Sequence, residues 1–147
     1  MTAAGQAHQA TAVAIGGRAV MIEGPPGSGK SSLALALIDR GAQLVGDDGL
    51  LLLPDIAPGN APRLLAQPHP RIAGLLEVRN LGLLRFPPLA QAPVALVLRL
   101  DADAPRFIDA AGRVERAGIA VPMVQLWPET PMLALRATLA LEHYGLG

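Results

Sequence analysis

Gly24-Pro25-Pro26-Gly27-Ser28-Gly29-Lys30-Ser31 satisfies the pattern G-x-x-x-x-G-K-[ST] at every position. Each residue type in that pattern has a physical task. The glycines let backbone N–H groups curl around an anion without Cβ interference, and a helix beginning at the lysine aims the positive end of its dipole at the same point. Lys30 would place a charge on the β- and γ-phosphates of a nucleotide, and the Ser31 hydroxyl would ligate Mg²⁺. Ser32 extends the run that contacts phosphate. The expected ligands are therefore ATP and Mg²⁺. Lys30 is the chain's only lysine among 12 basic residues, which sets it apart from an incidental surface charge.

A second candidate group lies 17 residues after Lys30, where Asp47 and Asp48 end a short apolar stretch. Adjacent carboxylates at a strand end point to opposite sides. One can hold Mg²⁺, directly or through water, while the other takes the proton of an incoming hydroxyl. Spacing alone leaves open a solvated Asp-Asp-Gly turn joining two strands.

The surrounding pattern predicts elements that can position these groups. Residues 11–15 alternate as a strand and close on Gly16-Gly17, a hairpin signal; residues 19–22 form a buried strand entering the glycine-rich loop. Residues 30–40 carry helix formers with Leu33, Leu37 and Ile38 on one face, and Gly41 stands where a helix stops. Further strands are expected at 42–46, 49–53, 93–101 and 119–126, the last interrupted by Pro122. The five prolines of 54–70 predict a loop containing a short strand at 63–66, and 72–84 is ambiguous between strand and helix. A polar connector is expected after residue 101. Thr130 as cap and Pro131 as first residue predict a final helix over 130–144. The pattern is strand-rich α/β with two principal helices.

With 147 residues, 12 basic and 12 acidic side chains and 51% hydrophobic content, the chain reads as one domain without the bulk charge of a nucleic-acid binder. The absence of cysteine excludes disulfides, thiolate metal sites and thiol nucleophiles. The first ten residues lack the pattern of a secretory signal, and no apolar run approaches the ~20 residues that span a bilayer. The expectation is a soluble, cytoplasmic protein with no membrane partner. His69 and His143 have no partner pattern and read as structural or solvated. Phe86, Phe107, Trp127 and Tyr144 are too scattered for a base-stacking platform and read as core or interface.

The run from His8 to Leu53, centred on GPPGSGKSSLALALIDRGAQLVGDD, together with Leu76-Glu77-Val78-Arg79-Asn80-Leu81-Gly82, resembles the catalytic domain of HPr kinase/phosphorylase and its L-E-[IV]-R-G-x-G signature. The resemblance is strong over roughly the first 85 residues and general thereafter. It implies a single kinase-like domain of the HPr kinase/PEP carboxykinase type, with a mixed β-sheet and few helices. It also implies one domain over 1–147 without the family's N-terminal companion. The implied activity is protein-serine kinase on HPr or an HPr-like phosphocarrier, with phosphorolysis as a reverse reaction. The implied assembly is a homo-oligomer, a hexamer in the family. By the same resemblance Asp48 is the general base, Asp47 supports metal and base, Ser31 and Glu77 help hold Mg²⁺, Arg79 shapes the active site, and His8 matches the family's histidine ahead of the loop. From the residues alone, Glu77 and Arg79, two apart on a strand, could equally pair with surface charges.

Four positions depart from the family's pattern. Pro26 stands where serine is common and removes an N–H. Ser32 replaces an acidic residue, Asn80 replaces a glycine, and 126–131 (LWPETP) stands where longer members carry Pro-Gly-Arg-Asn. These departures spare the groups needed for ATP, Mg²⁺ and proton abstraction, so kinase chemistry is expected to outlast phosphorylase chemistry. Two other readings compete. A small-molecule kinase would use Arg106, Arg113 and Arg116 as a lid, and a non-catalytic module would bind ATP and a partner without transfer.

Overall fold

Strands β3 (Arg18–Glu23) and β9 (Ala92–Leu100) lie side by side in parallel at the centre of the main sheet. Both are apolar almost without interruption because both faces are covered, which suppresses the alternation of a half-exposed strand. In a computed structural model that describes residues 5–147, β3 is flanked on its other side by β2 (Thr11–Ile15) and then β4 (Gln43–Gly46), antiparallel to β2. β11 (Ile119–Leu126) runs parallel beside the end of β9 and pairs with β10 (Gly112–Arg116). The start of β9 instead pairs with β6 (Arg63–Pro68), which continues through β5 (Leu50–Asp55) to β1 (Gln6–His8).

Two cores follow from this curl. On one face Val20, Ile22, Leu96 and Leu98 pack against Leu33 and Leu37 of α1 (Lys30–Asp39) and Leu141 of α2 (Leu133–Tyr144). On the other face Met21 and Val97 meet Leu50, Leu52 and Leu64, so β5 and β6 fold back over the sheet and take the place of helices. The expected mixed sheet with two principal helices is thus observed. Neither helix of the described residues is long and apolar enough to cross a membrane.

Prolines account for two corrections. The short strand expected at 63–66 within the 54–70 stretch is present as β6 and runs on to Pro68, while Pro54, expected to open the loop, lies inside β5 opposite Leu64. It is tolerated because β1 pairs only with residues 50–52, leaving that side of β5 open at Pro54. Pro122 likewise does not interrupt β11, since the ladder with β9 begins only at Met123. The polar connector after residue 101 contains β10, an unexpected strand whose face is too polar to show apolar alternation. The last helix starts at Leu133 rather than Thr130, whose hydroxyl accepts from the Met132 N–H at 3.1 Å in a preceding turn.

The ambiguous segment 72–84 resolves into a separate hairpin of β7 (Leu75–Val78) and β8 (Gly82–Arg85). Asn80, standing where a glycine is usual, adopts φ 74° at its tip, a conformation asparagine accepts more readily than most residues. Arg79 therefore lies in the turn and not, as expected, on the strand with Glu77. Phe86 and Tyr144 pack against the first core, whereas Phe107 and Trp127 stay exposed.

Candidate active site

The glycine-rich loop leaves the carboxyl end of β3 and enters α1 at Lys30. Gly29 caps that helix with φ 103°, a conformation that disfavours any side chain. At Gly24 a Cβ would lie 2.7 Å from Ser28 Oγ and 3.1 Å from the Leu100 carbonyl, so the loop can close against β9 only without one. Lys30 Nζ donates to the carbonyls of Gly24 at 2.8 Å and Pro25 at 3.2 Å, bridging across the loop. Ser28 Oγ is buried with no hydrogen-bond partner among the described residues, an uncompensated polar atom within a loop suited to an anion.

A pocket of about 250 Å³ opens over this loop and is walled by Lys30, Ser31, Asp47, Asp48, Glu77 and Arg79, with Pro26, Gly27, Gly29 and Ser32 on the loop side. Residues from Thr11 to Arg79 of the chain therefore meet in one cleft. Asp47 is 6% exposed and accepts from Ser31 Oγ at 2.7 Å, Thr11 Oγ1 at 2.9 Å and the Glu77 N–H at 3.0 Å. It ties the start of α1, strand β2 and the β7–β8 hairpin together. Asp48, beside it, is exposed, with φ 56° turning it out of strand geometry, and among the described residues its only side-chain bond is a long one from Gln9 Nε2 at 3.4 Å. One carboxylate is thus fixed by three hydrogen bonds while its neighbour stands exposed with a single long one.

Ser31, Asp47 and Glu77 offer only hard oxygen donors, and the Ser31 hydroxyl is oriented by Asp47. Among the described residues no three His, Cys, Asp or Glu side chains converge as a cation cage. This donor set fits Mg²⁺, which keeps several waters and takes phosphate oxygens instead of requiring a protein cage.

His8 does not line the pocket. Its Nε2 lies 2.7 Å from Glu23 Oε2, and Glu23, 9% exposed at the end of β3, also receives Arg116 through Nε at 2.9 Å and Nη2 at 2.6 Å. Arg99 Nη2 approaches the same carboxylate at 3.6 Å. Arg116 is thereby committed to Glu23, away from Arg106 and Arg113, so the three arginines do not form a common lid. Thr11 and Glu23 were not anticipated as site-organising residues. Their signals were a lone hydroxyl in the alternating stretch TAVAI and a lone acid ending an apolar strand one residue before the loop.

Burial alone would raise the Glu23 carboxyl, but the hydrogen bonds from His8 and Arg116 and the attraction of their charges outweigh it and hold the carboxyl at about 2. The folded value lies below the unfolded one, so this group's contribution is complete above about pH 4.5 and disappears as pH falls toward 2. Glu23→Gln is expected to destabilise the protein by roughly 3 kcal/mol at pH 7 and to flatten the loss of stability below pH 5. Urea denaturation across pH would reveal this; parallel acid profiles for the two proteins would refute the assignment.

The model of the HPr Serine kinase C-terminal domain matches residues 1–89, which span the loop, the aspartate pair and the hairpin. The chain belongs to that family. HPr kinase/phosphorylases from Xanthomonas campestris pv. campestris (strain B100) and Stenotrophomonas maltophilia (strain K279a) are each 47% identical to it over 68 residues, 44% of this chain. That stretch is 19% of the relatives' own length, so the chain matches about a fifth of those proteins. The solved structure of the Hpr(Ser) kinase/phosphatase from Coxiella burnetii superposes with a TM-score of 0.76 at 27% identity, covering 94% of this chain and 90% of that one. The HPr kinase-type fold thus extends past the matched segment, through β9, β11 and α2.

Proposed function

We propose that this protein is an ATP-dependent protein-serine kinase acting on HPr or an HPr-like phosphocarrier. The observation that carries the reading is the pairing of a loop bearing Lys30 and Ser31 with a buried Asp47 and an exposed Asp48 in a single pocket. The loop amides and Lys30 hold the terminal phosphates of ATP. Mg²⁺ held by Ser31, Glu77 and, through Ser31, Asp47 would supply charge neutralisation on the transferred group. Asp48 accepts the proton of the substrate serine, whose oxygen attacks the γ-phosphorus as the bond to the bridging oxygen breaks and ADP departs. Positioning and electrostatics supply most of the rate, as is general for phosphoryl transfer. Arg79, on the hairpin tip, lies where it can steady the incoming phosphoacceptor.

Pro26 removes one loop N–H, and 126–131 carries no arginine. Both changes reduce the contacts available to free phosphate, so the forward reaction is favoured over phosphorolysis. The test is transfer of label from γ-labelled ATP to an HPr homologue, run beside a panel of sugars and nucleotides. Serine phosphorylation of the homologue is expected, with little pyrophosphate formed when the phosphorylated product meets inorganic phosphate. Label on a small molecule would identify a different kinase, and ATP binding without transfer would identify a regulatory module.

A further inference from the structure

The three parallel strands β3, β9 and β11 end at the same edge of the sheet, and their carboxyl ends form a second cleft on the flank of the glycine-rich loop away from the aspartates. This cleft, about 630 Å³, lies between loop residues 24–28 and the ends of β9 and β11, with Arg99, Asp101, Pro128 and Glu129 in its walls. It adjoins, through the shared Ala102, a pocket lined by Trp127, Arg106 and Arg136. Trp127 is 45% exposed, and neither Arg106 nor Arg136 is ion-paired among the described residues.

The two flanks of the loop differ chemically. One holds Lys30, Ser31 and three carboxylates, a setting for phosphoryl chemistry. The other holds Arg99, Asp101 and the exposed carboxylate of Glu129 and leads into a pocket with a flat aromatic ring and two guanidinium planes, a setting for hydroxyl groups and a π-system. A nucleotide whose terminal phosphate reaches Asp48 must leave the loop on one side, and open α/β sheets bind ligands beyond the carboxyl ends of their parallel strands.

We infer that the β9–β11 cleft and the pocket adjoining it at Ala102 together form the nucleoside subsite, with the ribose hydroxyls donating to Glu129 in the cleft and the base stacked on Trp127 in the adjoining pocket. This rests on the ATP-binding reading above and adds to it the location and chemistry of base recognition. It also gives a role to LWPETP, the segment that carries both Trp127 and Glu129.

Trp127 is the chain's only tryptophan, so it reports on its own surroundings. The full chain would be titrated with ATP and with inorganic tripolyphosphate in the presence of Mg²⁺, following both heat of binding and Trp127 fluorescence. Both ligands are expected to bind and to compete, with only ATP changing the emission. Trp127→Ala should weaken ATP about tenfold while leaving tripolyphosphate unchanged, and Trp127→Phe should restore ATP affinity to within about twofold. ATP binding that leaves Trp127 silent and is indifferent to Trp127→Ala would overturn the subsite alone. A fluorescence change with tripolyphosphate equal to that with ATP would also overturn it, by making the cleft a phosphate site. Failure of both ligands to bind would overturn the ATP-binding reading and the subsite with it.

Discussion

Lys30→Ala is expected to abolish detectable phosphoryl transfer, a loss of at least about 10³-fold. Lys30 supplies the one mobile cation among the loop residues, and its Nζ already sits over the Gly24 and Pro25 carbonyls, within the arc of the loop. As charge redistributes over the transferred group, nothing else on the loop can follow it: the amides are fixed and Ser31 is held by Asp47. Arg99, Arg106, Arg116 and Arg136 lie on other walls and cannot substitute. Lys30→Arg should fail to rescue, because a planar fork cannot occupy the position of a compact ammonium. The fold should persist, since the Lys30 side chain belongs to neither core. Label transfer from γ-labelled ATP, with circular dichroism to verify folding, decides the matter; turnover within tenfold of the parent would exclude the assigned role.

Asp48→Asn is the second large effect. The change keeps size and shape but removes the basic lone pair, and asparagine is among the residues that best accept the φ of 56° found here. The backbone bond from Asp48 N–H to Thr11 Oγ1, 3.3 Å, is independent of the side chain and is retained. A fall in kcat of about 10² to 10⁴ is therefore expected, with nucleotide affinity changed by no more than about threefold. Steady-state kinetics paired with calorimetry separate the two quantities. If kcat stays near normal, another group takes the serine proton; if affinity collapses with kcat, Asp48 serves in binding.

Much of the site was legible because its signals are local. Loop composition, the lone lysine and the helix after it specify their own backbone geometry within a dozen residues, and the glycines at 24, 27 and 29 were recognisable from steric need. Strand β3 and helix α1 were legible for the same reason. Errors gathered where the outcome depends on which side of a strand is paired. Pro54 and Pro122 read as breaks, yet each occupies a place where the neighbouring ladder is absent. Strand β10 was invisible because its exposed face carries Arg113 and Glu115 and gives no apolar period.

By itself, then, the sequence determined the chemistry on offer: a loop able to cradle phosphate, a metal-compatible hydroxyl, two adjacent carboxylates and a Glu-x-Arg segment whose order matches one family. Only the tertiary structure decided how those groups divide the work. Asp47 and Asp48 are chemically identical, and nothing in their spacing says which is buried. The difference arises because β2 delivers Thr11, α1 delivers Ser31 and the β7–β8 hairpin delivers the Glu77 N–H to one carboxylate, holding it in place, while its neighbour turns outward. His8 was drawn in the same way to Glu23, a partner 15 residues distant, and out of the pocket. Residue types carry donors and acceptors, but which of them satisfy one another is settled by long-range packing, and that packing leaves Asp48 as the exposed carboxylate of the pair.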